Sequence, residues 1–596
     1  MEHERDGQVR GERNLPPSAF LVLALVFVVA AVVWTVASAS ALSMTFDEPH
    51  HLATGMEWWQ FGTYRWWTEN PPLPKVLTAL GPYLAGVRLP GPVTPDSGVW
   101  DVGISLLDGG GARTLMLARL GTIPWLLLAL GFTFALAGGR KQTRAAFLAT
   151  ALVATYPPLL GHAGFATTDI AAVATMLGFL LALDRWADGP TRGRAVLVGA
   201  ALALASLCKL TAPILCGVLA VAWLGGRRAT RGRWLGDGAA ATRGRALATQ
   251  VALAALAALV VVWAGYRFSV GRLEDLPPMD YDGTPALAPV GQRSAFLAWL
   301  ARLPLPAPEF WHGYLFLRAH DVHGHLAFLY GQTREHGFRS FYLVGLALKS
   351  PLPFLALVAA AAGVALAAFR RAGRGGLGAP GTRGVGAGLA ALAALAFSAI
   401  ITVNIDLRHM LIVVPLLAIF AARVLVPWIE ALAPRPRAIA AAAVGLLIAI
   451  NVASVARARP QLMAYFNPLA GHEPGHALID SDLDWGQDML LLKRELAARG
   501  VSEVHYGLFA IVNPCDSAMP KMLPLEPGRP APGWIVLSEQ FYRSGLHFSF
   551  RRESCAPGAS YQFHVDPVDA FDWIKAFEPV VRVGASLRLY YVPERS

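Results

Sequence analysis

Charge is scarce in this chain. Asp, Glu, Lys and Arg make up 15% of its 596 residues, where a soluble domain carries about a quarter. Apolar residues fill the gap at 55%, with a mean hydropathy of +0.45. The deficit excludes an ordinary soluble protein. No Walker-type loop and no Rossmann fingerprint in strand–helix context occurs, which excludes nucleotide-handling chemistry of those kinds. No internal repeat and no extended low-complexity tract is visible. The apolar run 19–42 is too long for a signal-peptide core and lacks a cleavage site, so it reads as a retained first span. Only four cysteines are present. Cys208 and Cys216 lie in or beside apolar runs and read as packing residues. Cys515 and Cys555 lie in the polar C-terminal region and can pair if that region faces an oxidising compartment.

The net charge of +11 does not point to nucleic acid. Lys and Arg cluster in short links between apolar runs, where they set topology. About eleven spans are expected from apolar length, starting near residues 18, 113, 145, 166, 194, 211, 246, 341, 386, 409 and 438. Basic links recur on one side of that arrangement: Arg140/Lys141/Arg144, Arg185/Arg192/Arg194, Arg227 through Arg245, Arg370 through Arg383, and Arg435/Arg437. The positive-inside rule makes that side cytoplasmic, together with the N-terminus, residues 1–16. The expected fold is a polytopic α-helical membrane domain over 17–456, with a small extracytoplasmic α/β domain over 457–596. Two extracytoplasmic loops, about 44–112 and 268–340, are too long to be simple connections. Trp58, Trp59, Trp66 and Trp67 in the first read as interfacial aromatics on short surface helices. In the C-terminal region, strands are expected around 505–512, 533–537 and 586–592, and a helix over 488–499.

The chemistry-bearing residues collect on the outer side. Asp47 and Glu48 follow the first span, and Asp169 opens the fourth. Carboxylates cost free energy near hydrocarbon, so they tend to face a cavity. Two acids from separate helix ends can converge on one cleft, one as general base and the other orienting it. Asp169 is alternatively an N-cap. Glu69, beside a proline-stiffened turn, could join Asp47, Asp169 and His50 as an oxygen/nitrogen cation site, and a divalent cation is the one cofactor the pattern admits. Lys209, Arg408 and Lys349 are outer-side cations against the charge trend. They fit an anionic lipid phosphate, or else pairing with local acids, such as Arg408 with Asp406. His312, His320, His323, His325 and His336 lack a zincin register and read as surface or substrate-contacting groups. Asp484-Trp485-Gly486-Gln487 either caps the following helix or forms acceptor surface.

Several segments in this order resemble the GT-C superfamily of polytopic glycosyltransferases. They are Phe46-Asp47-Glu48, Glu69-Asn70-Pro71-Pro72-Leu73, Thr168-Asp169 and Leu207-Cys208-Lys209. Leu348-Lys349-Ser350-Pro351-Leu352-Pro353 and Asp484-Trp485-Gly486-Gln487 add to them. The resemblance is to the bacterial branch of the dolichyl-phosphate-mannose–protein mannosyltransferase family, glycosyltransferase family 39, to which the aminoarabinose transferase of lipid A is related. It covers roughly 15–455. It implies a bacterial inner-membrane enzyme using a polyprenyl-phosphate sugar donor, with Asp47 catalytic, Asp169 beside it and Glu69 near a metal. Asn70 stands where aminoarabinose transferases carry Lys, which argues against lipid A as acceptor. No β-trefoil is visible, so a protein acceptor is not implied. The expected reaction is single displacement, with Asp47 as base, aided by Asp169 and Glu48. Lys209, Arg408 and Lys349 are expected at the departing phosphate. The alternative is a transporter or flippase for a lipid-linked or small solute. No half-to-half repeat supports it, and the acids sit at an outer rim.

Overall fold

The computed structural model describes residues 16–92, 98–231, 244–276, 299, 301–372, 384–543, 547–552, 554, 560–566 and 570–594. Within them the chain is a multi-pass helical membrane protein followed by a strand-containing region. Seven helices are long and apolar enough to cross a membrane. An eighth span arises if α6 (Thr143–Ala154) and α7 (Pro157–Ala163), which meet at 69°, count as one. A helix occupies each of the eleven expected positions, so the difference is one of length and polarity. Helix Arg192–Ser206 has 15 residues and Val385–Ser398 has 14. About 20 are needed to cross a hydrocarbon core. Helix Ala212–Arg231 ends in Arg227, Arg228 and Arg231.

The loop after the first span is built rather than loose. It folds into α2 (Glu48–Gln60), α3 (Pro72–Leu84) and the start of α4 (Val99–Leu120). Pro49 and Pro72 occupy first-turn positions, where the missing N–H costs nothing. Two glycines let these helices close on each other. A Cβ on Gly55 would meet the Lys75 carbonyl at 2.2 Å, and one on Gly103 the Pro49 carbonyl at 2.1 Å. Trp58 donates to the Gly265 carbonyl at the end of helix Gly244–Gly265, Trp59 to that of Val76, and Trp67 to Glu69, while Trp66 is buried. Trp59 and Trp67 thus tie the loop to itself and Trp58 ties it to a membrane helix, because an indole N–H drawn away from water needs a partner.

Glu48 corrects an expectation. It does not reach a cleft. Arg119 of α4 holds it bidentately, Nε to Oε1 at 2.8 Å and Nη2 to Oε2 at 2.7 Å. Both side chains are 1% exposed. The backbone N–H groups of Thr45 and Ala166 also donate to the carboxylate, each at 2.8 Å. The same guanidinium donates to the carbonyls of Ala39, Leu42 and Ser43 at the end of α1 (Pro17–Ala39). Every carboxylate lone-pair direction is engaged, so Glu48 is a clamp between α1, α2, α4 and the segment before α8 (Asp169–Asp188), and not a catalytic group.

In the C-terminal region, strands Val581–Val583, Leu587–Val592, Gly533–Ser538, Glu503–Gly507 and Lys521–Pro524 lie in that order in a five-stranded mixed sheet. Helix Met489–Ala498 covers it through Leu492 and Leu496, against Val504, Val536 and Leu589. Strands Ile511–Val512, His547–Arg552 and Tyr561–Asp566 form a second, smaller sheet. Cys515 is disulfide-bonded; Cys555 lies outside the described residues. Cys208 and Cys216 are free and buried, as expected of packing residues.

Removing one partner of the clamp leaves an uncompensated buried charge, which costs about 3–5 kcal/mol. Glu48→Ala should lower the thermal unfolding midpoint of the purified protein markedly. Arg119→Met paired with Glu48→Met should recover part of the loss. An unchanged midpoint in the single variant would contradict the clamp.

Candidate active site

A cavity of about 790 Å³ opens where the first loop, the membrane helices and the C-terminal region meet. Asp47, the N-cap residue of α2, lies on its wall next to the clamped Glu48. Its Oδ2 accepts from Arg408 Nη1 at 2.9 Å. Asp169, the first residue of α8, lies on the same wall and accepts from Lys209 Nζ at 3.0 Å. Thr168 is the backbone N-cap of that helix and makes no side-chain cap bond. The site thus holds two carboxylate–cation pairs. Burial raises the Asp47 carboxyl above its ordinary range, and Asp169 and Glu69 add to the rise, against the lowering pull of Arg408. A carboxylate made more basic in this way is better suited to accept a proton.

The lining is mixed. Leu210, Ile214, Leu215, Leu317, Phe397 and Ile400, the last 74% exposed, give apolar surface to the same cavity as the charged pairs. Such a lining suits an amphiphile with an anionic head.

Of the expected phosphate-binding cations, Lys209 and Arg408 reach the cavity and Lys349 does not. Lys349 is fully buried and pairs with Asp482 at 2.9 Å, also donating to the Asp482 carbonyl. A lysine this deep stays charged only beside an acid, and the C-terminal region supplies it. Asp482 lies in turn beside Asp406, which faces His162 at 3.3 Å. Burial and the nearby Asp406 raise the Asp482 carboxyl above its ordinary range. Asp406 pairs with Arg408 only through the Arg408 backbone N–H, at 3.1 Å. This buried set carries the 3-10 turn Leu407–Met410 that presents Arg408.

Glu69 and His50 line the cavity, but among the described residues no three His, Cys, Asp or Glu side chains converge as a metal cluster. Glu69 is engaged by the Trp67 indole at 3.0 Å and stands 3.7 Å from His320. His320, His323 and His325 also line the cavity, whereas His312 bonds to Thr68 at 2.9 Å. His336 bridges to His325 through the backbone.

Asp484-Trp485-Gly486-Gln487, expected as a helix cap or acceptor surface, does not cap helix Met489–Ala498, whose N-cap is Asp488, and Trp485 lines the cavity. Trp485, 1% exposed, lies under the Arg408 guanidinium with 4.2 Å to the ring centre. Its carbonyl accepts from the Phe46 N–H at 3.1 Å, and the Gln487 carbonyl accepts from the Ser43 N–H at 2.9 Å. The Gln487 side chain ties Leu483 to Trp485. Trp485 therefore braces both members of the Asp47–Arg408 pair. Asp484 is buried and accepts from the Gln540 N–H at 3.0 Å, with its carboxyl pushed up to about 8 by burial. Asp480 lines the cavity at φ 57°, its carboxyl pushed up to about 6 by burial. The signal available in sequence was the density of acids in Asp480–Asp488, a run that is costly unless each member is placed.

No protein-family model matches the chain, and no curated protein does. Among solved structures it is similar to ArnT from Cupriavidus metallidurans, bound to undecaprenyl phosphate and in the apo state. Each aligns at 17% identity with a TM-score of 0.44, covering 95–96% of this chain and 97–98% of theirs. It is also similar to the archaeal oligosaccharyltransferase AglB from Archaeoglobus fulgidus, at 15% identity and a TM-score of 0.42, over 73% of this chain and 56% of that one. At these scores the likenesses carry no weight for activity, which is read from the site.

A cation–π contact with a desolvated guanidinium is worth about 2 kcal/mol. Trp485→Leu should therefore cut turnover by about tenfold or more, while Trp485→Phe retains most of it. Equal losses in both variants, tracking a drop in thermal midpoint, would reduce Trp485 to a packing residue.

Proposed function

We propose that this protein is a membrane glycosyltransferase. It moves a sugar from a polyprenyl-phosphate donor to a hydroxyl of an extracytoplasmic acceptor. The observation that carries this reading is the paired arrangement Asp47–Arg408 and Asp169–Lys209 in a cavity that also has apolar lining from Leu210, Ile214, Leu215 and Phe397.

The reaction is a single displacement. The acceptor oxygen bonds to the anomeric carbon as the bond from that carbon to the phosphate oxygen breaks. The electron pair leaves with the lipid phosphate. Asp47 takes the hydroxyl proton, and Arg408 and Lys209 stabilise the charge that grows on the leaving phosphate. Arg408 is shared between Asp47 and phosphate, so donor binding loosens the ion pair and frees the base at the moment it is needed. Asp169 keeps Lys209 oriented. The lipid chain lies along Ile214, Leu215 and Phe397. No step is written through a metal; among the described residues no three acids, histidines or cysteines of the site converge. The sidedness that fits is a cytoplasmic N-terminus, with the cavity and C-terminal region outside a bacterial inner membrane.

In lipid, with radiolabelled polyprenyl-phosphate sugars and a crude envelope extract as acceptor, wild type should transfer label to a new product. Asp47→Asn should lower transfer by at least about a thousandfold, the loss expected when a general base and the charge beside it are both removed. Near-normal transfer in the variant would overturn the assignment. Donor movement across the bilayer without product would point to a flippase.

A further inference from the structure

One wall of the cavity has no use in the chemistry above. It is aromatic, and two distant parts of the chain build it. Phe46, Trp67 and Trp100 come from the first loop; Phe509, Phe550 and Phe563 come from the C-terminal region. Phe46 stacks on Phe509 with ring centres 5.1 Å apart, and Trp100 on Phe550 at 5.7 Å and 19°. Trp67 meets Trp100 edge-on at 4.8 Å. The Trp100 indole N–H is taken by the Phe46 carbonyl at 3.1 Å, which fixes its plane.

Against this wall stands His50. It is 3% exposed and lines the cavity, yet neither ring nitrogen has a hydrogen-bond partner. His51, also 3% exposed and on the cavity wall, leaves its Nδ1 unpaired. Buried polar atoms are normally satisfied, and an orphan calls for an occupant. Burial holds both imidazoles well below their ordinary pKa, with Lys75 and Arg408 adding to the effect. A neutral ring offers one donor and one acceptor, which is what a hydroxyl needs. His50 lies 4.5 Å, ring to ring, from Trp100. It also follows Asp47 by three residues at the start of α2, so both lie on one helix face.

Ring faces beside neutral donors and acceptors do not suit a phosphate, which the cations at Lys209 and Arg408 serve. They suit the C–H face and hydroxyls of a sugar ring. We propose that His50, Trp100 and Phe550 form a pyranose-binding subsite across the seam between the first loop and the C-terminal region, holding a sugar against Asp47. This rests on the glycosyltransferase reading and names the ligand of that wall. The sugar is either the donor's own or the first residue of a glycan acceptor.

Saturation-transfer NMR on the full chain in nanodiscs tests it, with a panel of methyl hexopyranosides and, separately, citronellyl phosphate as probes. At least one pyranoside should receive saturation at its ring protons in wild type. Phe550→Leu and His50→Leu should each weaken that binding by about three- to tenfold, with citronellyl phosphate binding kept, which also reports an intact fold. Loss of the pyranoside signal on adding the matching citronellyl-phosphate sugar assigns the subsite to the donor sugar; persistence assigns it to the acceptor glycan, and both uphold it. No pyranoside bound by wild type, or unchanged binding in both variants, overturns it. Failure of citronellyl phosphate to bind wild type would instead undo the donor reading, whatever the sugars do.

Discussion

The arrangement hangs on the ion pair between Glu48 and Arg119. One guanidinium closes the carbonyl end of α1, satisfies a buried carboxylate bidentately and draws α2 and α4 together. A buried pair of this kind contributes little net stability over an apolar replacement, but it tolerates only one geometry. Its consequence is positional. With Glu48 held inward, the adjacent Asp47 faces the cavity at the start of α2. The loop after the first span becomes a fixed platform.

The second constraint is charge balance. Asp47 and Asp169 each meet a cation on the cavity wall, so Arg408 and Lys209 are already paired. Within these two pairs the charges offset each other before any ligand arrives. In the proposed reaction the donor phosphodiester carries one negative charge and the departing phosphate gains a second, which falls to cations whose own desolvation has already been met by Asp47 and Asp169. The C-terminal region completes the design from outside the membrane domain. Trp485 sets the plane of Arg408, and Asp482 neutralises Lys349 beneath the turn that carries Arg408.

Much of this was legible in sequence. Carboxylates and cations at the outer ends of apolar runs are costly unless used, so Asp47, Asp169, Lys209 and Arg408 stood out, and the structure brings them to one cavity. Helix Met489–Ala498 and strands Glu503–Gly507, Gly533–Ser538 and Leu587–Val592 followed from local pattern, whereas Lys521–Pro524, His547–Arg552, Tyr561–Asp566 and Val581–Val583 did not. Glu48 and Lys349 looked equivalent to the functional residues because sequence shows a charge near a membrane but not the direction it faces. Their partners, Arg119 and Asp482, lie 71 and 133 residues away, beyond any local pattern. Trp485 stood out within Asp484-Trp485-Gly486-Gln487, but its place under Arg408 and the aromatic wall were not legible for the same reason: a ring's role depends on which surface it meets across the fold, and these rings act only where two remote segments join.

The central claim is that Arg408 is a phosphate-binding group held in reserve by Asp47. Calorimetric titration of citronellyl phosphate into wild type and Asp47→Asn, both in nanodiscs, tests it directly. Releasing Arg408 from a charge-assisted hydrogen bond should tighten phosphate binding in the variant by about tenfold. Equal or weaker binding in Asp47→Asn would contradict the account.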